Sequence, residues 1–348
     1  MAVLNVGIIG CGTIATLRHA PEYAAREDVR IVATYDAYLK RAQDMAALYG
    51  ANAYSNWEEL IADDKIDAVS ICTSNKWHAP IGIAALRAGK HVLCEKPMAV
   101  TLKEAEEMVI AAKESQKFLM IGHNQRLVPA HIRAKELLQD GELGRILSFE
   151  TVFRHGGPEN WGADKGVNTW FFQNDNALSG SLGDLGVHKM DLIRWLTGDE
   201  VDQVQCCMTT LDKVKDDGKL VDVNDNAICI LSLKSGIVGT ITTSWTCYGE
   251  EDNKTVIYCS NGIMKICDNP DYSIVVLKKN KEKTFYQVGK VQTNDSQTKS
   301  GVIDAFVDSI LEGRKPEISG EEGIKVLKVL FACVESSKTG KKVKVESM

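Results

Sequence analysis

Leu4–Ala15 reads LNVGIIGCGTIA, and this stretch decides the fold. Leu4 to Ile9 is an apolar run rich in β-branched residues, the pattern of a strand covered on both faces of a parallel sheet. Gly10-Cys11-Gly12-Thr13-Ile14-Ala15 follows at once as GxGxxA. The first glycine of such a motif makes the turn, the second lets a pyrophosphate approach the backbone, and the small third residue lets the next helix pack on the strand. The N–H groups at that helix start are free to meet phosphates. Gly10, Gly12, Thr13 and Ile14 are therefore expected to hold a dinucleotide.

Working outward, Val29 to Tyr35 reads as a second strand and ends at Asp36. That is a little beyond the roughly 20 residues at which an acidic group meets the adenosine ribose. A carboxylate there accepts hydrogen bonds from the 2′-hydroxyl and repels a 2′-phosphate, so NAD is expected in preference to NADP. Lys40 and Arg41 are the nearby basic groups that work against that preference. Lys40 to Tyr49 and Trp57 to Ala62 read as helices, and Ala68 to Cys72 as a buried strand. Ligands of open α/β sheets bind beyond the carboxyl ends of the strands, which puts Thr73, Asn75 and His78 on the cofactor side. A helix over Ile81–Ala88 leads to the strand His91–Cys94, which ends in Glu95-Lys96-Pro97. The proline holds Lys96 in extended backbone, from which its ammonium can enter the cleft. Asn124 and Arg126, after the strand Phe118–Ile121, complete the expected cofactor set.

Residues 1–123 are thus expected to form an α/β, doubly wound parallel sheet, and 124–348 a second domain. After a helix over Ala130–Gln139, short strand-like runs follow at Ile146–Phe153, Gln203–Thr210, Ala227–Lys234, Ile237–Trp245, Thr255–Cys259, Gly262–Ile266 and Ser273–Leu277. Turn signals such as Ser260-Asn261-Gly262 join them, which predicts an α+β domain with a large, mostly antiparallel open sheet. Helices are expected over Asp304–Leu311 and Gly320–Glu335, packing back on the first domain, with KKVKV as a final strand or fray.

The 348 residues suffice for two cores. A net charge of -6 gives no electrostatic case for nucleic acid or an anionic membrane, and no apolar run has the length of a bilayer span. A small-molecule substrate and a cytoplasmic setting are the expectation. The ten cysteines include no CxxC pair, and they are expected to be reduced, with no metal bound.

A second stretch carries chemistry: Gly180–Asp191, GSLGDLGVHKMD, running into LIRWL. On a regular helix Asp184, His188 and Asp191 fall at i, i+4 and i+7 on one face, with Leu185, Leu192, Ile193 and Leu196 on the other. An imidazole oriented and charged by a carboxylate one turn away is a general base working near neutrality. Taken alone, such a pair is most often a helix cap and a core histidine. Asp-x3-His-x2-Asp can also ligate zinc, but a basic Lys96 beside it opposes a cation.

Together GIIGCGTIA, ICTSNKWH, AGKHVLCEKPMA, GHNQRLVPAH and DLGVHKMD, with FVDSILEGRKPEISGEEGIKVLKV near the C-terminus, resemble the glucose-fructose oxidoreductase and inositol dehydrogenase family (Gfo/Idh/MocA). The resemblance implies a Rossmann domain and a nicotinamide-dependent oxidoreductase of polyols, sugars or their derivatives. It implies a cis Lys96–Pro97 peptide and places Lys96, Asp184 and His188 around the reacting carbon. His188 would remove the hydroxyl proton, Asp184 hold the imidazole, and Lys96 donate to the same oxygen. The chain departs from the family at Gly180-Ser181-Leu182-Gly183, where three glycines are common, and at His123, where Phe or Tyr is common. Substrate contacts are expected from Lys96, Asp184 and His188, and from His155, Asn168 and Trp170 in the long loop Arg154–Asn176. The same residues would also serve a redox-neutral glycosidase or lyase that retains NAD and acts through a transient keto-sugar, and a non-catalytic dinucleotide sensor is the third reading. Thr240, Thr242 and Ser244 alternate with Ile241, Thr243 and Trp245, a mixed face that suits a homo-oligomer interface.

Overall fold

A computed structural model describes residues 3–289 and 299–348. Six strands, β1 (Leu4–Ile9), β2 (Val29–Tyr35), β3 (Asn52–Tyr54), β4 (Ala68–Ile71), β5 (His91–Cys94) and β6 (Leu119–Ile121), form one sheet in the order β3-β2-β1-β4-β5-β6. Every pair in it is parallel. The direction of winding reverses between β1 and β4, and the crevice beyond their carboxyl ends is where such sheets bind ligands. Buried Val6, Ile8, Ile9, Ala68, Val69 and Ile71 explain why these strands carry no polar alternation.

The connecting helices are α1 (Ala20–Ala24), α2 (Leu39–Tyr49), α3 (Trp57–Ala62), α4 (Asn75–Arg87) and α5 (Leu102–Ser115). Two differ from the sequence reading. Helix α4 starts at Asn75 rather than Ile81, so Asn75 and His78 belong to its first turns; Pro80 lies inside it, where it offers no N–H to the carbonyl four residues back. Helix α5, absent from the periodicity reading above, carries its own start signal in a Thr101-x-x-Glu104 capping box. Thr101 Oγ1 accepts from Glu104 N at 3.1 Å and donates to Glu104 Oε2 at 3.0 Å.

Helices α6 (Pro129–Gln139) and α7 (Val187–Thr197) and nine further strands follow. These are β7 (Ile146–Arg154), β8 (Val201–Thr209), β9 (Asn226–Leu233), β10 (Val238–Ser244), β11 (Thr255–Cys259), β12 (Gly262–Ile266), β13 (Ile274–Lys278), β14 (Lys283–Tyr286) and β15 (Val343–Lys344), in the order β14-β13-β12-β11-β7-β10-β9-β8-β15. Only β7 and β10 pair in parallel. The tail of the chain is therefore a true final strand, β15 on β8, with Val345 buried beyond it.

One face of this sheet is covered by α7 and by α9 (Gly320–Thr339), which follows α8 (Val302–Leu311). Along β9, Ala227, Cys229, Leu231 and Leu233 point into that core, while Ile228 and Ile230 are 58% and 50% exposed on the other face. The last helices do return to the first sheet: Ile121 N donates to Ile318 O, and Arg26 pairs with Asp304 and Asp308 of α8.

Candidate active site

A cleft runs from Gly12, Thr13 and Ile14 at one end to Lys96, Asp184 and His188 at the other. Its cofactor end is built of backbone. Gly10 has φ +93°, and a Cβ there would lie 2.6 Å from the carbonyl carbon of Cys72, so only glycine lets the turn close on the end of β4. Asp36, nearly buried, accepts from Cys11 N at 2.7 Å and Tyr38 N at 2.8 Å, which fixes its carboxylate against the glycine turn. Thr73, Asn75, His78, Glu95 and Asn124 line the same cleft.

Some of these groups also hold the site together. Asn75 Oδ1 accepts from Leu178 N at 3.0 Å and so ties the substrate loop to α4. His78 lies within hydrogen-bond reach of Pro97 O and Thr73 O; burial favours its neutral form, whose single N–H serves one of the two. Glu95 contacts His19 at 2.9 Å and accepts from Lys96 N at 3.1 Å. Burial pushes its carboxyl up, but the His19 hydrogen bond and the positive field of Lys96 and Arg18 outweigh this, and it falls to about 2.

At the reacting end the arrangement differs from the expected one. Lys96, on a cis Lys96–Pro97 peptide, donates from Nζ to Asp184 Oδ1 at 2.9 Å and to Asp184 O at 3.1 Å. The other carboxylate oxygen accepts from Trp245 Nε1 at 3.2 Å. Asp184 therefore holds the lysine, not the imidazole. The physical reason is that both carboxylate oxygens are already taken, one by the Lys96 ammonium and the other by the Trp245 indole.

His188 packs edge-on to His123, ring centroids 6.4 Å apart, and against Phe153 at 5.8 Å. Its Nδ1 is buried without a hydrogen-bond partner among the described residues. Burial pushes its pKa well below the usual histidine range, and Lys96 and His123 push it further. The expectation of a base charged by Asp184 near neutrality is corrected to a neutral imidazole facing a lysine.

Three other expected residues lie elsewhere. Arg126 forms a buried two-pronged ion pair with Asp191, 2.7 and 2.6 Å, and reaches Glu322 on α9 at 3.1 Å, so neither Arg126 nor Asp191 faces the cleft. That commitment also takes Asp191 out of any zinc set with Asp184 and His188. His155 is buried behind the wall, accepting from Gly157 N at 2.9 Å. Asn168 borders a separate polar pocket with Gln173 and Asp222. Trp170 does line the cleft, stacked on Phe171 at 3.8 Å.

The sequence reading also missed Arg18, Phe153 and Trp161 on the cleft wall, and Trp245 behind Asp184. Trp245 is fully buried at the end of a strand of alternating residues, and a strand-end Trp with an N–H to satisfy was the available signal. Away from the cleft, the sulfurs of Cys206, Cys229 and Cys333 lie within 4.8 Å of one another between the sheet and α9. No His or carboxylate joins them among the described residues, and they pack as small hydrophobes.

A doubly wound sheet with a glycine turn and an acid closing its second strand, opening onto a lysine, an aspartate and a neutral histidine, fits a nicotinamide-dependent oxidoreductase. The comparisons give its place. Residues 4–123 match the oxidoreductase family, NAD-binding Rossmann fold, and 131–265 the GFO/IDH/MocA C-terminal domain. The chain belongs to the GFO/IDH/MocA family. It is 34% identical to levoglucosan dehydrogenase of Pseudarthrobacter phenanthrenivorans over 72% of this chain and 70% of that one. Identity to myo-inositol 2-dehydrogenase of Thermotoga maritima is 27% over 99% of both chains. A solved levoglucosan dehydrogenase in complex with NADH and L-sorbose superposes with a TM-score of 0.88 at 28% identity, covering 99% of both chains.

Proposed function

We propose that this protein oxidises a secondary hydroxyl of a polyol, sugar or glycoside with NAD, or runs the reverse reduction. The observation that carries the reading is the Lys96–Asp184–Trp245 chain beside a neutral His188, in the cleft that begins at the glycine turn. The cofactor residues fit a dinucleotide: Gly10 leaves no room for a side chain, and Asp36 faces the turn with a fixed carboxylate. Gly12, Thr13 and Ile14 would meet the pyrophosphate, Asp36 the ribose, and Glu95 and Asn124 border the nicotinamide end. When bound, the dinucleotide supplies the hydride acceptor.

The chain's own groups handle the proton. His188, kept neutral, takes the hydroxyl proton; Lys96 donates to the same oxygen and stabilises the developing alkoxide. Asp184 keeps the ammonium aimed, and Trp245 keeps Asp184 in place. Trp161, Trp170 and Phe171 give the flat apolar surface that a sugar ring packs on. The test is absorbance at 340 nm with NAD, then NADP, and a panel of inositols, free sugars and glucosides, on wild type, K96A and H188A. NADH formation by the wild type alone supports the reading. A protein that binds the dinucleotide yet releases no NADH with any substrate sinks it. The exposed sheet face bearing Ile228, Ile230 and Val238 is a proposed homo-oligomer interface, and a constant monomer mass in light scattering across dilution would reject it.

A further inference from the structure

The substrate loop makes a second contact with the N-terminal half that the proposed reaction does not use. Trp161 O accepts from Thr13 Oγ1 at 3.1 Å, and Ala163 lies over Gly12, where a Cβ would come within 3.5 Å of its side chain. Next in sequence, Asp164 Oδ1 accepts from Arg41 Nη2 at 2.7 Å. The segment 161–164 is thus a strap across the glycine turn. It is a built feature: Gly162 N donates to Pro158 O at 2.8 Å, Gly166 N to Glu159 O at 2.9 Å, and buried Lys213 anchors its base at Gly156 O and Glu159.

Arg41 sits in the first turns of α2, just past Asp36, with its guanidinium over the Tyr38 ring at 4.6 Å. A guanidinium placed beside the ribose-binding acid is the group that receives a 2′-phosphate, because its fork matches phosphate oxygens. Here that fork is held by a carboxylate from the other half of the chain. Lys40, the second basic group, pairs with Asp44 on its own helix. The ion pair is partly sheltered, with the Arg41 and Asp164 side chains 31% and 35% exposed, so water screens it only in part.

We infer that Asp164 is a specificity-determining residue of the cofactor site. By holding Arg41 it denies a 2′-phosphate its natural partner. NAD selection is then a property of the closed strap as well as of the strand-end acid. The inference rests on the reading that a nicotinamide dinucleotide binds at the glycine turn.

Isothermal titration calorimetry of NAD and NADP against wild type, D164N, R41A and the double variant R41A/D164N tests it, with thermal melts confirming that each is folded. In D164N the ratio of NADP to NAD affinity should rise about tenfold, the weight of one charge-assisted hydrogen bond. R41A alone should move that ratio less than about threefold, because the guanidinium is already taken, and the double variant should lose the gain of D164N. A D164N ratio within about twofold of wild type overturns the inference. So does a shift that persists without Arg41, or a folded D164N that binds neither dinucleotide. A wild type that binds neither would instead overturn the cofactor reading beneath it.

Discussion

At the end of the cleft proposed for the cofactor the chain presents backbone, and at the end proposed for the reaction it presents side chains gathered from distant elements. The first is one contiguous turn, Gly10–Ile14, whose requirement is the absence of Cβ atoms. The second needs Lys96 from the end of β5, Asp184 from a π turn, His188 from α7 and Trp245 from the end of β10. A site made of backbone tolerates almost no added side-chain atom where it closes on its neighbours. A site made of side chains tolerates small local changes but fails if any supporting element shifts. The two ends should therefore break in different ways, and the breakage is measurable.

The largest effect is expected at the reacting end. Lys96→Met should lower kcat by about 10³-fold while NAD affinity stays within about tenfold, because it removes a donor to charge that develops in the transition state. Steady-state kinetics beside calorimetric NAD binding separates the two. The residual activity should carry a second signature. Lys96 is one of the charges that depress His188, so without it the imidazole pKa rises and the acid limb of the rate profile moves to higher pH. An acid limb left in place would mean that His188 is not the base.

Gly10→Ala should reverse the pattern, because the new Cβ meets Cys72 C at 2.6 Å and Thr73 N at 2.7 Å, both backbone atoms that cannot swing aside. Dinucleotide affinity is expected to fall by about 10²-fold, with a lower melting temperature, as the turn opens or strains. An unchanged Kd for NAD would show that the glycine turn is not the cofactor site.

These contrasts explain what could be read from the sequence. The Rossmann half was legible because its strands are apolar throughout and its site is a short motif with fixed spacing; β2, β5 and α3 came out at the expected residues. The antiparallel sheet was legible as a composition change, but its order and the single parallel β7–β10 pair are set by tertiary packing that no local pattern records. The structure gathers Lys96, Asp184 and His188 at one cleft, whereas their partners could not be read from the sequence. Spacing on a regular helix assigned Asp184 to His188, whereas Lys96 and Trp245, which take its two carboxylate oxygens, come from distant parts of the chain. Arg126 looked like a cofactor residue because Asp191 and Glu322, which hold it, lie far along the chain.

Trp245→Phe sharpens the comparison at intermediate size. The indole N–H lost is one of Asp184's donors, and a buried carboxylate oxygen left short costs about 1–3 kcal/mol. Since Trp245 is outside the cleft lining, kcat should fall about tenfold with KM within about twofold, the split expected of a residue that positions another. A rise in KM with unchanged kcat would make Trp245 a wall of the substrate site instead.

The last expected effect is on stability rather than rate and concerns the buried neutral histidines beside Lys96. His123 touches His188 edge-on, and its Nδ1 is buried without a partner among the described residues. Burial lowers its pKa from the ordinary 6.5 to about 4, outweighing the opposing pull of Asp191. The sign follows from linkage: below pH 6.5 the unfolded chain binds a proton at this residue and the folded chain does not, so stability is lost as pH falls from 6.5 toward 4. At pH 5 that one histidine should cost the fold about 2 kcal/mol. His123→Phe keeps the ring and removes the titration, so its advantage over wild type in urea unfolding should grow by about that amount between pH 7.5 and pH 5. Parallel unfolding curves at both pH values would mean that the His123 ring already finds a proton partner in the fold.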